Sequence, residues 1–187
     1  MTQSRTIYYH FTSATLRNGE PIPGKGKWLK HDGDVIPCES GLHASPTPFD
    51  ALQYAPGEML HQVELRGTII PHGNPLDKFA ASERKILATI DCTPIVRLFA
   101  RRVALDVIHL WNAPSVVKEY LETGDESKRA AAWDAARAAA WDAAWDAARA
   151  AARAAARDAA WDAKQKLYRT WFNEMVKGEF ALRKAKP

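Results

Sequence analysis

Six histidines and two cysteines in this 187-residue chain suggest the hypothesis of a metal site. Cys38 and His43 lie closest in sequence, but no Cys-x2-Cys or His-x3-His pair accompanies them, so we expect no metal site. The Gly-Lys-Gly-Lys segment at 24–27 could bind phosphate, yet it leads into no predicted helix and is interpreted as a flexible loop. A Walker loop, a Gly-x-Ser-x-Gly motif and a dinucleotide fingerprint are all absent from the sequence.

The elements that would position such side chains change in type along the chain. β-Branched and aromatic residues and period-2 alternation predict strands over residues 6–12, 59–66 with an extension to 70, and 85–90. Thr47 and Pro48 predict the start of a short helix, and Thr93 with Pro94 predict that of a longer one. A further helix is predicted over 116–122. Strands first and helices last indicate the α+β class, with a small mixed or antiparallel sheet.

Composition divides the chain into a strand-rich domain over 1–91, a helical connector over 92–124 and a helical region over 125–187. The net charge of +4 lies in the last region, which is weak as a nucleic-acid signature. Two distant cysteines and no apolar signal stretch near Met1 favour a cytoplasmic protein. Arg and Asp interrupt the long stretch of low polarity, so no membrane span is expected.

The run from Ala130 to Ala163 contains 21 alanines among its 34 residues, and Trp or Arg falls at every fourth position from Arg129 to Trp161. High helix propensity predicts one long helix from about Glu126 to Lys177, roughly 75 Å in length, either straight or bent near 163–166. On a helical projection the tryptophans share one broad side and an arginine trio lies opposite. These candidate partner-binding residues are Trp133, Trp141, Trp145, Arg149, Arg153, Arg157 and Trp161.

Two uses of this helix are consistent with its pattern. The tryptophans could cover the protein's own domain or a second copy of the chain, which would make a homodimer through the long helix. Alternatively, Trp and Arg could anchor another macromolecule, because these residue types dominate interface energetics.

Three short motifs resemble the histidine, tyrosine and glutamate layout of the ADP-ribosyltransferase fold. They are Tyr9-His10-Phe11-Thr12 on the first strand, Gly41-Leu42-His43-Ala44-Ser45 leading into a helix that ends in Gln53-Tyr54-Ala55, and Ser82-Glu83 before a later strand. The resemblance covers residues 6–90. It implies that His10 and Tyr54 hold NAD and that Glu83 polarises the ribose and orients the acceptor. Phe11 departs from the pattern, since a small glycine usually follows the first-strand histidine.

The chain also resembles an uncharacterised domain family common in phages and prophages. The shared features are a Gly-Leu-His element at 41–43, a Val-Glu-x-x-Gly strand at 63–67 and a trailing alanine-rich tetrad repeat. This resemblance spans most of the chain and implies a mobile-element origin, without supplying a chemistry.

The favoured hypothesis is therefore a phage- or prophage-encoded accessory protein that binds a bacterial host protein or protein–nucleic-acid complex. It would counter a defence system or neutralise a toxin, and it would need no cofactor. Enzyme activity stays open as an alternative, in the form of an ADP-ribosyltransferase-like enzyme with NAD as its cofactor. The other alternative is a nucleotide or nucleic-acid binder without turnover.

Overall fold

A computed structural model describes residues 6–138 and 157–185 of the protein, with side chains from 162 onward in the second range. Its strands are β1 (Tyr8–Thr12), β2 (Trp28–Lys30), β3 (Leu42–Ala44), β4 (Met59–His72) and β5 (Lys78–Asp91). Its helices are α1 (Pro48–Leu52), α2 (Thr93–Val107), α3 (Ser115–Thr123), α4 (residues 129–138) and α5 (Arg157–Ala185), with 3₁₀ turns at Ile108–Leu110 and Glu126–Lys128. The α+β class is confirmed.

The sheet is antiparallel throughout, in the order β1-β4-β5-β2, and β3 pairs with the first part of β5. Backbone hydrogen bonds also join Ser45 to Tyr9 in both directions, at 2.9 and 2.8 Å, and so connect the end of β3 to β1. This connection matters for the site, because it brings His43 on β3 towards His10 on β1.

The long hairpin of β4 and β5 forms the centre of the sheet. Its register shifts between Arg66 and Ile69, where Gly67 has a φ of 77°. An added Cβ at Gly67 would overlap the hydroxyl of Ser82, which accepts a hydrogen bond from the Thr68 N–H at 3.0 Å. The left-handed conformation and the close approach together account for glycine at this bulge.

Helix α1 begins as predicted. The Thr47 hydroxyl accepts a hydrogen bond from the Asp50 N–H, and Pro48 occupies the first turn. Helix α2 differs in one detail, because it begins at Thr93 itself, and Asp91 Oδ1 accepts the Thr93 N–H at 2.9 Å.

The end of α5 completes the core of the strand-rich unit. Phe172, Val176 and Phe180 recur every four residues, which places them on one helical face, and all three are buried. The Phe172 ring meets that of Phe49 edge-on at 6.3 Å, and Asn173 Oδ1 accepts the Phe49 N–H at 2.9 Å. Residues Met1–Pro94 and Phe172–Pro187 accordingly form one compact unit.

Residues Ile95–Trp171 form a second compact unit. Within it, Asp106 accepts hydrogen bonds from Tyr168 at 2.8 Å and from Lys164, and the Arg102 guanidinium lies 3.8 Å from the Trp171 ring centre. Of the predicted long helix, residues 129–138 and 157–185 are helical, and 139–156 lie outside the described residues. No described helix combines the length and apolar character needed to cross a membrane.

Candidate functional site

A cleft of about 910 Å³ opens in the strand-rich unit. Its walls come from β1, β2, β3 and β5, from the segment after β1, and from the end of α1. The charged side chains that line it are Arg17, Glu20, Lys30, Lys78 and Arg84, so positive groups outnumber negative ones by four to one. A cleft with this balance concentrates anions.

The structure brings two of the three residues suggested by the ADP-ribosyltransferase resemblance to this cleft. His10 lines it from β1, and Tyr54 lines it from the residues after α1. The Tyr54 hydroxyl donates a hydrogen bond to Asp77 Oδ2 at 2.6 Å, and the Lys78 ammonium lies 4.3 Å from the Tyr54 ring centre.

Glu83 does not line the cleft. Its carboxylate forms an ion pair with Arg66, whose guanidinium lies 4.0 Å from the Trp28 ring centre. Since consecutive residues of a strand point to opposite faces, it is Arg84 that faces the cleft.

Arg84 is the most unusual group in the site. Only 7% of it is exposed, and no ion pair joins it to a carboxylate within the described part of the chain. Its Nη1 donates a hydrogen bond to the His43 carbonyl oxygen at 2.6 Å. Burial lowers its pKa to about 10, so the guanidinium stays charged at neutral pH. A buried cation without a carboxylate partner is costly, and a bound anion would offset that cost.

The histidines around Arg84 are neutral at physiological pH. The pKa of His10 lies well below its usual value, because of burial first, then the charge of Arg84, and then repulsion from His61 and His43 when those rings are protonated. Burial, followed by the charges of Lys78 and Arg84, also lowers the pKa of His43. The arginines and lysines therefore supply positive charge to the cleft, and the imidazoles of His10 and His43 act as neutral hydrogen-bonding groups.

His61 supports His10 from the adjacent strand. The two are register partners on β4 and β1, and their rings stack with centres 6.5 Å apart. His61 Nε2 lies 2.8 Å from the Thr12 hydroxyl, and His61 Nδ1 lies 2.8 Å from the Thr89 hydroxyl. Both ring nitrogens of His61 thus have hydrogen-bond partners inside the sheet. These hydrogen bonds fix the orientation of the His61 ring, against which the His10 ring stacks.

Cys38 lines the cleft and comes close to three basic side chains. Its N–H donates to His43 Nε2 at 3.1 Å, its Sγ lies 3.5 Å from His72 Nε2, and its thiol interacts with Lys78. Cys38 and His43, which lie close in sequence, are thus also in contact. Among the residues that the structure describes, however, no three potential ligands are grouped to hold a metal ion.

Sequence reasoning did not select Arg84, Lys78 or Cys38 as a group. The burial of Arg84 could have been predicted from the sequence. Arg84 and Ile86 are two residues apart in a strand, so they lie on the same face, and Ile86 is a buried apolar residue. The proximity of Cys38 to His43, His72 and Lys78 could not have been predicted in this way, because the four residues come from separate segments of the chain.

The predicted partner-binding residues are described only in part. The Trp133 side chain is 65% exposed, and the Arg137 guanidinium lies 5.8 Å from its ring centre. Residues Trp141, Trp145, Arg149 and Arg153 lie outside the described residues, and the described part of Arg157 and Trp161 is backbone alone.

Part of the chain is similar to a family without an assigned activity. No curated protein and no solved structure matches the chain. Residues 7–98, which include the whole sheet and every residue that lines the cleft, match a family described as a domain of unknown function (DUF7666).

Proposed function

We propose that the cleft binds a nucleotide through its phosphate groups and does not turn it over. The observation that carries this proposal is Arg84, a buried guanidinium that lines the cleft without a carboxylate partner among the described residues. Lys30, Lys78 and Arg17 line the same space and add to its positive charge. Phosphate oxygens are the ligands that such a set of donors favours.

The volume of the cleft and the uncharged residues among those that line it favour a nucleotide over free phosphate as the ligand. A volume of about 910 Å³ is at the upper end of the range for small-molecule pockets, well beyond what a single phosphate fills. Neutral His10 and His43 supply hydrogen bonds for a sugar or base, and the half-exposed Tyr54 ring offers a stacking surface.

Binding without turnover is favoured over ADP-ribosyl transfer by the position of Glu83. Its carboxylate is paired with Arg66 and is absent from the lining of the cleft. A carboxylate that polarises a ribose must reach that ribose. The absence of turnover is tested directly by incubating the protein with NAD and measuring free nicotinamide. Release that stops in the Glu83→Gln variant would establish the transferase alternative instead.

Arg84→Met is expected to weaken nucleotide binding by about 10- to 100-fold, because a charge-assisted hydrogen bond contributes about 1.5–3 kcal/mol. Isothermal titration calorimetry with ATP and with NAD measures this loss. The substitution should change stability little, since the loss of the hydrogen bond to the His43 carbonyl oxygen is offset by the removal of a buried cation that lacks a carboxylate partner.

The matched control is Lys27→Met, which removes a positive charge from an exposed residue that does not line the cleft. It should bind nucleotide as the unsubstituted protein does. Equal affinities for the Arg84→Met variant and the unsubstituted protein, or no binding of either nucleotide, would overturn the proposal.

A second candidate function, the binding of a bacterial host protein or protein–nucleic-acid complex, is favoured by Trp133. A tryptophan exposed to 65% on a helix, with a guanidinium near its ring, has the character of an interface anchor. Together with this second function, we propose that the protein has a phage or prophage origin and an anti-defence or toxin-neutralising role, as the sequence resemblance implies.

The double substitution Trp133→Ala and Arg137→Ala is expected to cost about 2 kcal/mol, roughly 30-fold, in affinity for such a partner. Both side chains are exposed and alanine favours the helix, so the melting temperature should not fall. Retention of host proteins by immobilised protein, followed by titration of any retained component, tests this. Lys118→Ala, at an exposed position of α3, is the control, and equal retention by both variants would contradict the proposal.

A further inference from the structure

The turn that carries Cys38 holds it in an unusual conformation. Cys38 has a φ of 73°, the left-handed region that residues other than glycine seldom adopt. Backbone hydrogen bonds between Ile36 and Ser40 close the turn at 3.2 and 2.9 Å, and the Cys38 N–H is held by His43. Conformations of this kind are strained and persist where the surroundings impose them.

The Cys38 thiol has both a base and a cation beside it. His72 Nε2, 3.5 Å from the sulfur, can accept the thiol proton. Burial lowers the pKa of Lys78, but the hydrogen bond to Cys38 and the charges of Tyr54, Cys38 and Asp77 raise it by more than burial lowers it. The net pKa is therefore above the usual value, and Lys78 stays protonated. Its ammonium group can therefore stabilise negative charge that develops on the sulfur.

We propose that Cys38 is a nucleophilic thiol with His72 as its general base, and that it forms a covalent bond with an anionic electrophile drawn into the cleft. Cysteine and histidine side chains within reach of each other are the arrangement by which proteins activate a thiol. Cys38 also lines the cleft directly, so a molecule bound there has access to the sulfur.

The preference for an anion comes from a separate observation. Arg84 is more than nine-tenths buried, lacks a carboxylate partner in the described residues and lines the same cleft, as do Lys30 and Lys78. This preference rests on the proposed anion binding, whereas the nucleophilicity rests on Cys38 and His72. The two parts can therefore fail separately.

With iodoacetate as the electrophile, every atom of the step is accounted for. The sulfur attacks the methylene carbon and an S–C bond forms. The C–I bond breaks, and its electron pair leaves with iodide. The thiol proton passes to His72 Nε2, and the carboxylate of the reagent lies in the field of Lys78 and Arg84.

The test compares two reagents that differ in charge, iodoacetate and neutral iodoacetamide, on the full chain at about pH 7. Adducts at Cys38 are timed by peptide mass spectrometry, in the native protein and in urea. Native Cys38 is expected to react about tenfold faster with iodoacetamide than the unfolded chain does, since a positioned base typically contributes 10²-fold or more at full efficiency. The ratio of the iodoacetate rate to the iodoacetamide rate should also be about tenfold higher in the native state.

Cys92 serves as the internal reference. It is fully buried, and burial raises its pKa to about 12, so it should react only in urea. His72→Gln should return the iodoacetamide rate of Cys38 to that of the unfolded chain, and Lys78→Met should abolish the preference for iodoacetate. His109→Gln, an exposed histidine outside the strand-rich unit, should change neither.

Two outcomes would overturn the inference. The first is native Cys38 reacting with iodoacetamide no faster than the unfolded chain, and the second is a His72→Gln variant as reactive as the unsubstituted protein. Either result would leave nucleotide binding at Arg84 untouched. If Cys38 is labelled rapidly, in a way that depends on His72 but without a preference for iodoacetate, the thiol is nucleophilic but the electrophile need not be an anion. That result would also count against the proposal that the cleft binds anions.

Discussion

Replacing Phe172 with alanine is expected to lower the free energy of unfolding by about 3–5 kcal/mol, the cost of emptying a large buried aromatic site. Phe172 is fully buried, and its ring packs edge-on against Phe49, which adds an aromatic contribution to the area it buries. Urea unfolding followed by circular dichroism measures the change.

Leu182→Ala is the matched control for Phe172→Ala. It lies on the same helix but is 63% exposed, so it should change stability by less than about 1 kcal/mol. A loss below about 1 kcal/mol for Phe172→Ala would mean that the end of α5 does not complete the core. The same packing makes truncation after Gly124 unsuitable for testing the helical region, because it would remove Phe172, Val176 and Phe180 from the strand-rich unit.

The second large effect is a loss of stability in acid that is traceable to His61. Burial, followed by the charge of Arg84, lowers the pKa of His61 from 6.5 to about 4 in the folded protein. Between these values the unfolded chain binds the proton and the folded chain does not. The contribution of neutral His61 to the free energy of unfolding is therefore fully present above pH 6.5 and is lost as the pH falls towards 4. A shift of this size corresponds to about 3 kcal/mol.

The measurement is the free energy of urea unfolding at about pH 7.5 and about pH 4, in the unsubstituted protein and in His61→Gln. Glutamine keeps a donor and an acceptor for Thr12 and Thr89 but does not titrate, so the variant should lose about 3 kcal/mol less on acidification. Carboxylates titrate in both proteins and cancel in the difference. His109→Gln should retain the full acid loss. Parallel pH profiles for His61→Gln and the unsubstituted protein would contradict the assignment.

Several elements of the fold follow from local sequence alone. Aromatic and β-branched residues predicted β1, and Thr47 with Pro48 predicted the start of α1, because these signals act within a few residues of one another. The helix predicted over 116–122 is α3, and Gly124, in the left-handed conformation with a φ of 69°, ends it.

Other elements depend on distant contacts and could not be predicted in this way. Strand β5 begins at Lys78 and not at Lys85, because its weakly strand-forming first half is paired on both sides, with β3 and β4. Alternation predicted one apolar face for β4, but the strand is buried at every position from Leu60 to Val63. The His61 and Gln62 side chains are inside although their types favour solvent, and for His61 threonines on two other strands make this possible.

The candidate site was predictable only in outline. The resemblance selected His10 and Tyr54, and both line the cleft. It also selected Glu83, whereas the structure puts the adjacent Arg84 in the cleft, and a one-residue difference in a strand reverses the face. The charge of the cleft arises from side chains spread over residues 17–84, whose proximity depends on the closure of β3 onto β1.

The contribution of α5 to the core also determines when the chain can fold during its synthesis. The hydrogen bond from Phe49 to Asn173 spans 124 positions, and the Phe180 ring lies 6.5 Å from that of Tyr9. On the ribosome, the strands are therefore made long before the helix that covers them. The strand-rich unit can complete its fold only after residue 180 has emerged, and until then its apolar side chains are accessible to chaperones and to other nascent chains.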